Sequence, residues 1–179
     1  MLFVILHFME RVMYQGKFIK VTEEDIQGHT WERVYLQDGV QVFPINSEGK
    51  IALIVETRPH EKSGQRLKFV TGLMDSGEEP LATANREMQE EIGVKAEHLE
   101  ILTHRESSGT INNNFYQIIA TNLKDSKIPN PDGEETILSV KYYTLSEIED
   151  LINNEKLPWS MGVLGFYKIK NLISKGELK

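Results

Sequence analysis

The sequence predicts one mixed α/β (α+β) domain with a small N-terminal antiparallel β extension. Three observations lead there. Short strand-like stretches, alternating or apolar and bounded by Gly, Pro, Asn or Asp, recur from residue 12 to residue 143. Residues 80–92 break that pattern with a helical period, and two more helical stretches close the chain after residue 146. At 179 residues, with no repeat, low-complexity tract or linker, the chain suits a single core. We divide it into an extension, residues 1–38, and a main domain, residues 39–179, within one unit.

In chain order, residues 1–8 are apolar but short, with neither a basic leader nor a small-residue cleavage site behind them. They read as a docked strand or as an upstream start before Met9 or Met13. Residues 12–22 alternate around Gly16, which suggests two strands and a turn. Residues 31–35 make another strand, followed by a turn at Asp38-Gly39. Residues 40–45 and 51–57 flank Asn46-Ser-Glu-Gly49 and read as a hairpin. A strand over 66–70 leads into the helical stretch, and strands at 99–104 and 115–121 follow it. Residues 125–135, with Pro129, Pro131 and Gly133, read as an exposed loop before a strand at 137–143. Ser146 opens an amphipathic helix, and a last helix covers about 160–173.

Residues 72–94 carry the chemistry. Pro80 suits a first helical position, where its missing N–H is not needed. Gly93 suits the left-handed position just past a helix end. On that helix Glu87, Glu90 and Glu91 share one arc at spacings i, i+3 and i+4. Leu81, Ala84, Met88 and Ile92 fall on a neighbouring arc expected to face the core, and Arg86 is expected to point away from the acidic centre. Three like charges at these spacings repel. A divalent cation is the simplest compensation, and hard oxygen ligands select Mg²⁺ or Mn²⁺ over Zn²⁺.

Composition narrows the partners. A formal net charge of −7 argues against nucleic acid or an anionic membrane as the main partner. The absence of cysteine excludes disulfides and thiolate chemistry and fits a reducing cytoplasm. No run approaches the ~20 apolar residues of a membrane span. The five histidines show no metal-ligand spacing.

Gly72, Glu78, Arg86, Glu87, Met88, Glu90, Glu91, Gly93 and Val94 match the Nudix box at every fixed position. Beyond the box the chain resembles the ADP-ribose and nucleoside-diphosphate-sugar pyrophosphatase branch of that superfamily. Tyr14-Gln-Gly-Lys-Phe18 is similar to its dimerising β extension, Val55-Glu-Thr-Arg-Pro59 to its strand ending in Arg-Pro, and Ser107-Ser-Gly109 to its Ser-Pro-Gly loop. The chain departs from that pattern in three places: Lys68-Phe-Val-Thr-Gly72 stands for Glu-Leu/Phe-Pro-Ala-Gly, so that Lys68 replaces a frequent acidic residue; Ser108 replaces the proline; and Asn112-Asn-Asn114 replaces an acidic residue that often follows.

The resemblance implies a Nudix fold, a mixed sheet sandwiched between helices, and a homodimer. It also implies hydrolysis of a nucleoside diphosphate sugar (ADP-ribose, an ADP-hexose or a GDP-hexose) to a nucleoside monophosphate and a sugar phosphate. Two or three Mg²⁺ or Mn²⁺ ions would be held by Glu87, Glu90, Glu91 and the carbonyl of Thr71. Gly72, Glu78, Arg86 and Gly93 would shape the loop and helix, with Arg86 pairing to Glu78. Glu135, or Glu134 beside it, is the candidate general base. Arg58, Trp31, Ser108 and Gly109 are candidate substrate contacts, Arg58 because a guanidinium matches phosphate oxygens. Tyr14 and Phe18 join Trp31 as possible base-stacking aromatics, with core packing their commoner fate. Other nucleotides (RNA 5′ ends, with a basic patch of Arg58, Lys62, Arg66 and Lys68; dinucleoside polyphosphates; oxidised triphosphates) and a non-catalytic sensing module are the alternatives.

Overall fold

A computed structural model describes residues 10–129, 136–157 and 160–178. The strands are β1 Arg11–Gln15, β2 Ile19–Ile26, β3 His29–Leu36, β4 Gly39–Pro44, β5 Ile51–Arg58, β6 Gly64–Lys68, β7 Val70–Leu73, β8 Val94–Ser107, β9 Ile111–Asp125 and β10 Ile137–Tyr143. The helices are α1 Pro80–Glu91, α2 Leu145–Asn153 and α3 Ser160–Ser174. A larger sheet runs β1-β2-β3-β9-β4-β7, with β8 paired to β9, and a smaller one runs β10-β5-β6.

Side-chain alternation along the central strands builds two cores. Val40, Val42, Ile54, Ile118 and Ala120 meet Ala84 and Met88 of α1 on one side. Phe43, Leu53, Phe69 and Ile119 meet Ile148 of α2 and Phe166 and Ile169 of α3 on the other. The sheets therefore lie between α1 and the α2–α3 pair, as expected. Thr144 caps α2 with a reciprocal capping box to Glu147, two residues ahead of Ser146, the sequence-based start.

Two expectations change. Residues 46–49 do turn, with Asn46 N–H donating to Lys50 O at 2.9 Å, but only an isolated bridge, Ile45 to Ile51, follows. The flanking strands enter different sheets: β4 is bracketed by β9 and β7, β5 by β10 and β6. All six residues of β4 are buried, so partners on both edges satisfy a strand that cannot reach water. The second change concerns 66–73, expected as one strand to Val70. The chain pairs with β5 up to Lys68, turns its direction at the buried Phe69, and pairs with β4 from Val70. That switch puts Lys68 and Thr71 close together beneath α1.

The extension is continuous with the main sheet, since Val34 and Tyr35 of β3 pair in parallel with Ile111 and Asn112 of β9. Asp38 secures the junction by accepting from Asn114 N–H at 2.6 Å and from its side-chain amide at 3.1 Å. Trp31, Tyr14 and Phe18 are about half exposed rather than packed in the core.

Candidate active site

α1 begins on Pro80 and hands over at Ile92 to Gly93, whose φ of +73° is the left-handed position foreseen for it. Its inward face differs from the expected one. Ala84 and Met88 are buried and Ile92 packs partly against them, but Leu81 is 37% exposed, while Glu91 is buried with them. The acidic and apolar arcs overlap at the helix end, and the groups that receive Glu91 come from β5–β7.

Gly72 lies directly under the helix. A Cβ added there would stand 1.9 Å from Glu87 Cδ, so close approach of the carboxylate demands glycine. Burial in this contact pushes the Glu87 carboxyl up to about 7, against the pull of Arg86.

Arg86 does pair with Glu78, through Nε to Oε1 and Nη2 to Oε2, each at 3.0 Å. That fork holds Glu78 well down, at about 2. The expectation that Arg86 points away from the acidic centre is corrected: its Nη1 donates to Glu87 Oε1 at 2.7 Å and to Glu90 Oε2 at 3.2 Å. Nη2 also donates to Leu73 O at 2.9 Å. The guanidinium has five N–H donors, and these contacts occupy all of them. It ties the loop at 73–78 to two of the three carboxylates, which the i, i+4 reach to Glu90 allows.

Glu91 is served by a different cation. Lys68, 4% exposed, sets its Nζ 3.3 Å from Glu91 Oε1, 2.7 Å from Glu56 Oε2 and 2.8 Å from Thr71 Oγ. Glu56 is fully buried and also accepts from Arg58 Nε, so Arg58, Glu56, Lys68 and Glu91 form one chain of charges. Burial pushes the Glu91 carboxyl up to about 8 despite Lys68. Its second oxygen, Oε2, is buried with no hydrogen-bond partner. A buried carboxylate oxygen that accepts no hydrogen bond is open to a donor or a cation.

No group of three or more His, Asp or Glu among the described residues is placed to hold one ion in this arrangement, in which Arg86 engages Glu87 and Glu90 and Lys68 engages Glu91. The donor set nevertheless fits a hard divalent cation: two carboxyls raised by burial, a third beside them, and one buried oxygen that accepts no hydrogen bond.

Of the other expected site residues, Glu134 and Glu135 lie outside the described residues. Thr71 belongs to β7 opposite Gln41. Ser108 and Gly109 form the β8–β9 turn, where Gly109 takes φ +124° and exchanges hydrogen bonds with the Asn112 side chain. Ser108 lines an open cleft of about 290 Å³ with Tyr35, Asp38 and Asn114. A second cleft of about 480 Å³ shares Leu36 and Asp38 and reaches Glu78. The lining of neither includes Glu87, Glu90, Glu91, Arg58 or Trp31. The basic patch suggested around Arg58, Lys62, Arg66 and Lys68 does not form, because Lys68 is buried and Arg58 and Arg66 are engaged by Glu56 and Glu61.

Sequence reasoning missed Glu56 and the role of Lys68. The available signal was the lysine itself, standing where the resembled branch often carries an acid.

Comparison with known proteins agrees with this geometry. A NUDIX domain family model matches residues 35–161. The chain is 28% identical over 154 residues to the methanol dehydrogenase activator of Bacillus methanolicus, covering 81% of each chain. It is 26% identical over 152 residues to the ADP-ribose pyrophosphatase of Bacillus subtilis (strain 168), again covering 81% of each. A crystal structure of an ADP compounds hydrolase shares the fold, with a TM-score of 0.77 over 95% of both chains at 18% identity. With the family model spanning most of the sequence and the box residues gathered on β7, the following loop and α1, the protein belongs to the Nudix family.

Proposed function

We propose that this Nudix protein hydrolyses the diphosphate bond of a nucleoside diphosphate sugar, ADP-ribose or an ADP- or GDP-hexose, with Mg²⁺ or Mn²⁺ as its cation. The products are a nucleoside monophosphate and a sugar phosphate. One observation carries this assignment: the box carboxylates Glu87, Glu90 and Glu91 are presented together on α1, with the buried Glu91 Oε2 accepting no hydrogen bond. The similarity to an ADP-ribose pyrophosphatase supports the substrate class.

Glu87, Glu90 and Glu91, with the Thr71 carbonyl, would hold the cation. When bound, it supplies charge neutralisation for the diphosphate and activation of water. The chain does the positioning. Arg86 fixes the loop at 73–78 against the helix and sets where Glu87 and Glu90 stand. Arg58, partly exposed and oriented by Glu56, is our candidate for the diphosphate. Glu135, with Glu134 next in line, is the proposed general base. Thr136 immediately follows and is bonded to Thr57 in both directions, at 3.0 and 3.1 Å, one residue from Arg58. Ser108, Gly109 and Trp31 are proposed to contact the nucleoside or sugar, and the exposed apolar face of β1–β3 is proposed to dimerise. No helix among the described residues is long and apolar enough to cross a membrane. A cysteine-free chain fits the cytoplasm as the working compartment.

The test is a panel of ADP-ribose, ADP-glucose, GDP-mannose, UDP-glucose, diadenosine polyphosphates and nucleoside triphosphates with Mg²⁺, followed by alkaline phosphatase to release phosphate only from cleaved sugar nucleotides. Turnover of one or two sugars, falling about 10²–10³-fold in Glu91→Gln, is expected. Turnover confined to triphosphates or polyphosphates, or none at all, overturns the assignment.

A further inference from the structure

We infer that Lys68 is a built-in cation of the carboxylate centre, standing where a divalent ion would otherwise bind Glu91 Oε1, so that Glu91 offers an ion Oε2 alone. This rests on the metal-dependent reading above and sharpens it: the chain takes fewer ions than the two or three that the box implies.

Three features of the site support this. The ammonium has three protons and faces three oxygens, Glu56 Oε2, Thr71 Oγ and Glu91 Oε1, at 2.7, 2.8 and 3.3 Å. That is a filled cation site, made of oxygen donors from three separate elements. Next, Lys68 cannot readily swing aside to admit an ion. It is 4% exposed, and leaving would strip a cation from Glu56, which has no exposure at all. Finally, the two oxygens of Glu91 are in different states: Oε1 is engaged by Lys68, while the buried Oε2 accepts no hydrogen bond. An ion on Oε1 would sit beside the ammonium in a site shielded from water, where like charges repel strongly. Oε2 is the oxygen of Glu91 that the ammonium does not engage.

The strand switch at Phe69 is what makes this possible. It carries Lys68 at the end of β6 and Thr71 in β7 to the same side-chain cluster, under a helix whose last residue is Glu91. Arg58 shares Glu56 with Lys68, so the built-in cation is also linked to the candidate phosphate contact.

The experiment counts bound Mn²⁺ on the full chain at pH 8 without substrate, from loss of the free-ion six-line electron paramagnetic resonance signal. Lys68→Met keeps the length of the side chain and removes its charge. One further Mn²⁺ per chain is expected in Lys68→Met, with Lys68→Arg retaining the wild-type number. Should Lys68→Met fail to fold, Lys68→Met with Glu56→Gln removes one charge of each sign and is expected to show the same gain. Equal Mn²⁺ numbers in the wild type and the folded charge-removing variant overturn the role given to Lys68. Wild-type protein that binds no Mn²⁺ overturns instead the metal-dependent reading on which it rests.

Discussion

Replacing Arg86 by alanine removes a guanidinium whose five donors reach Glu78 twice, Leu73 O, Glu87 and Glu90. Hydrogen bonds to charged groups contribute roughly 1.5–3 kcal/mol when one partner is deleted, but those of a single side chain do not add. The side chain is also 26% exposed, so water recovers part of the loss. We expect a net destabilisation of about 2–4 kcal/mol, which for a chain of this size lowers Tm by about 5–15 °C. The assay is calorimetric unfolding in EDTA and again in excess Mg²⁺. In EDTA the full deficit is expected, because Glu87 and Glu90 lose their shared cation. In Mg²⁺ the deficit should shrink, since an external cation can take over those carboxylates, whereas the loop at 73–78 stays unbraced. Arg86→Lys should recover less than half, because one ammonium cannot fork Glu78 and still reach Glu87 and Glu90. An Arg86→Ala protein within about 0.5 kcal/mol of wild type in EDTA would refute the bracing role.

Gly72→Ala forces a methyl group into the space of the Glu87 carboxyl, so we expect about 1–3 kcal/mol of destabilisation and weaker Mg²⁺ binding by titration calorimetry. Unchanged affinity would show that Glu87 can move freely. The pH dependence has a definite sign. The folded Glu87 carboxyl is raised from 4.5 to about 7 by burial, so its contribution to stability is complete below about 4.5 and lost as pH rises through about 7. In EDTA this group alone lowers stability by on the order of 3 kcal/mol between pH 4.5 and 8. Glu91, raised to about 8, acts in the same direction. Glu78, held at about 2, acts oppositely and loses its contribution as pH falls below about 4.5. Urea midpoints in EDTA should therefore fall from pH 5 to 8, while stabilisation by Mg²⁺ grows over that range with release of protons. A flat or rising EDTA profile would contradict the buried, raised carboxyls.

Local chemistry made part of this protein legible in its sequence. Pro80 and Gly93 marked both ends of α1, because a missing N–H and a left-handed φ are properties of single residues. Residues 137–143 and about 160–173 were readable as a strand and a helix, and the box spacing on α1 was enough to name the family. What the sequence could not settle depends on partners distant along the chain. The turn at 46–49 was plain, but whether β4 and β5 pair across it depends on β9, β7, β10 and β6 competing for the same edges. The arc of three glutamates was plain too, yet which cation each would meet depended on side-chain reach and on the strand switch at Phe69. Tertiary packing turned Arg86 inward onto Glu87 and Glu90, buried Glu91 where Leu81 was expected, and placed Lys68 against Glu56 and Glu91. A helix closes its hydrogen bonds within four residues, so its ends are written locally. A sheet edge and a buried charge are satisfied only by what the rest of the chain brings to them.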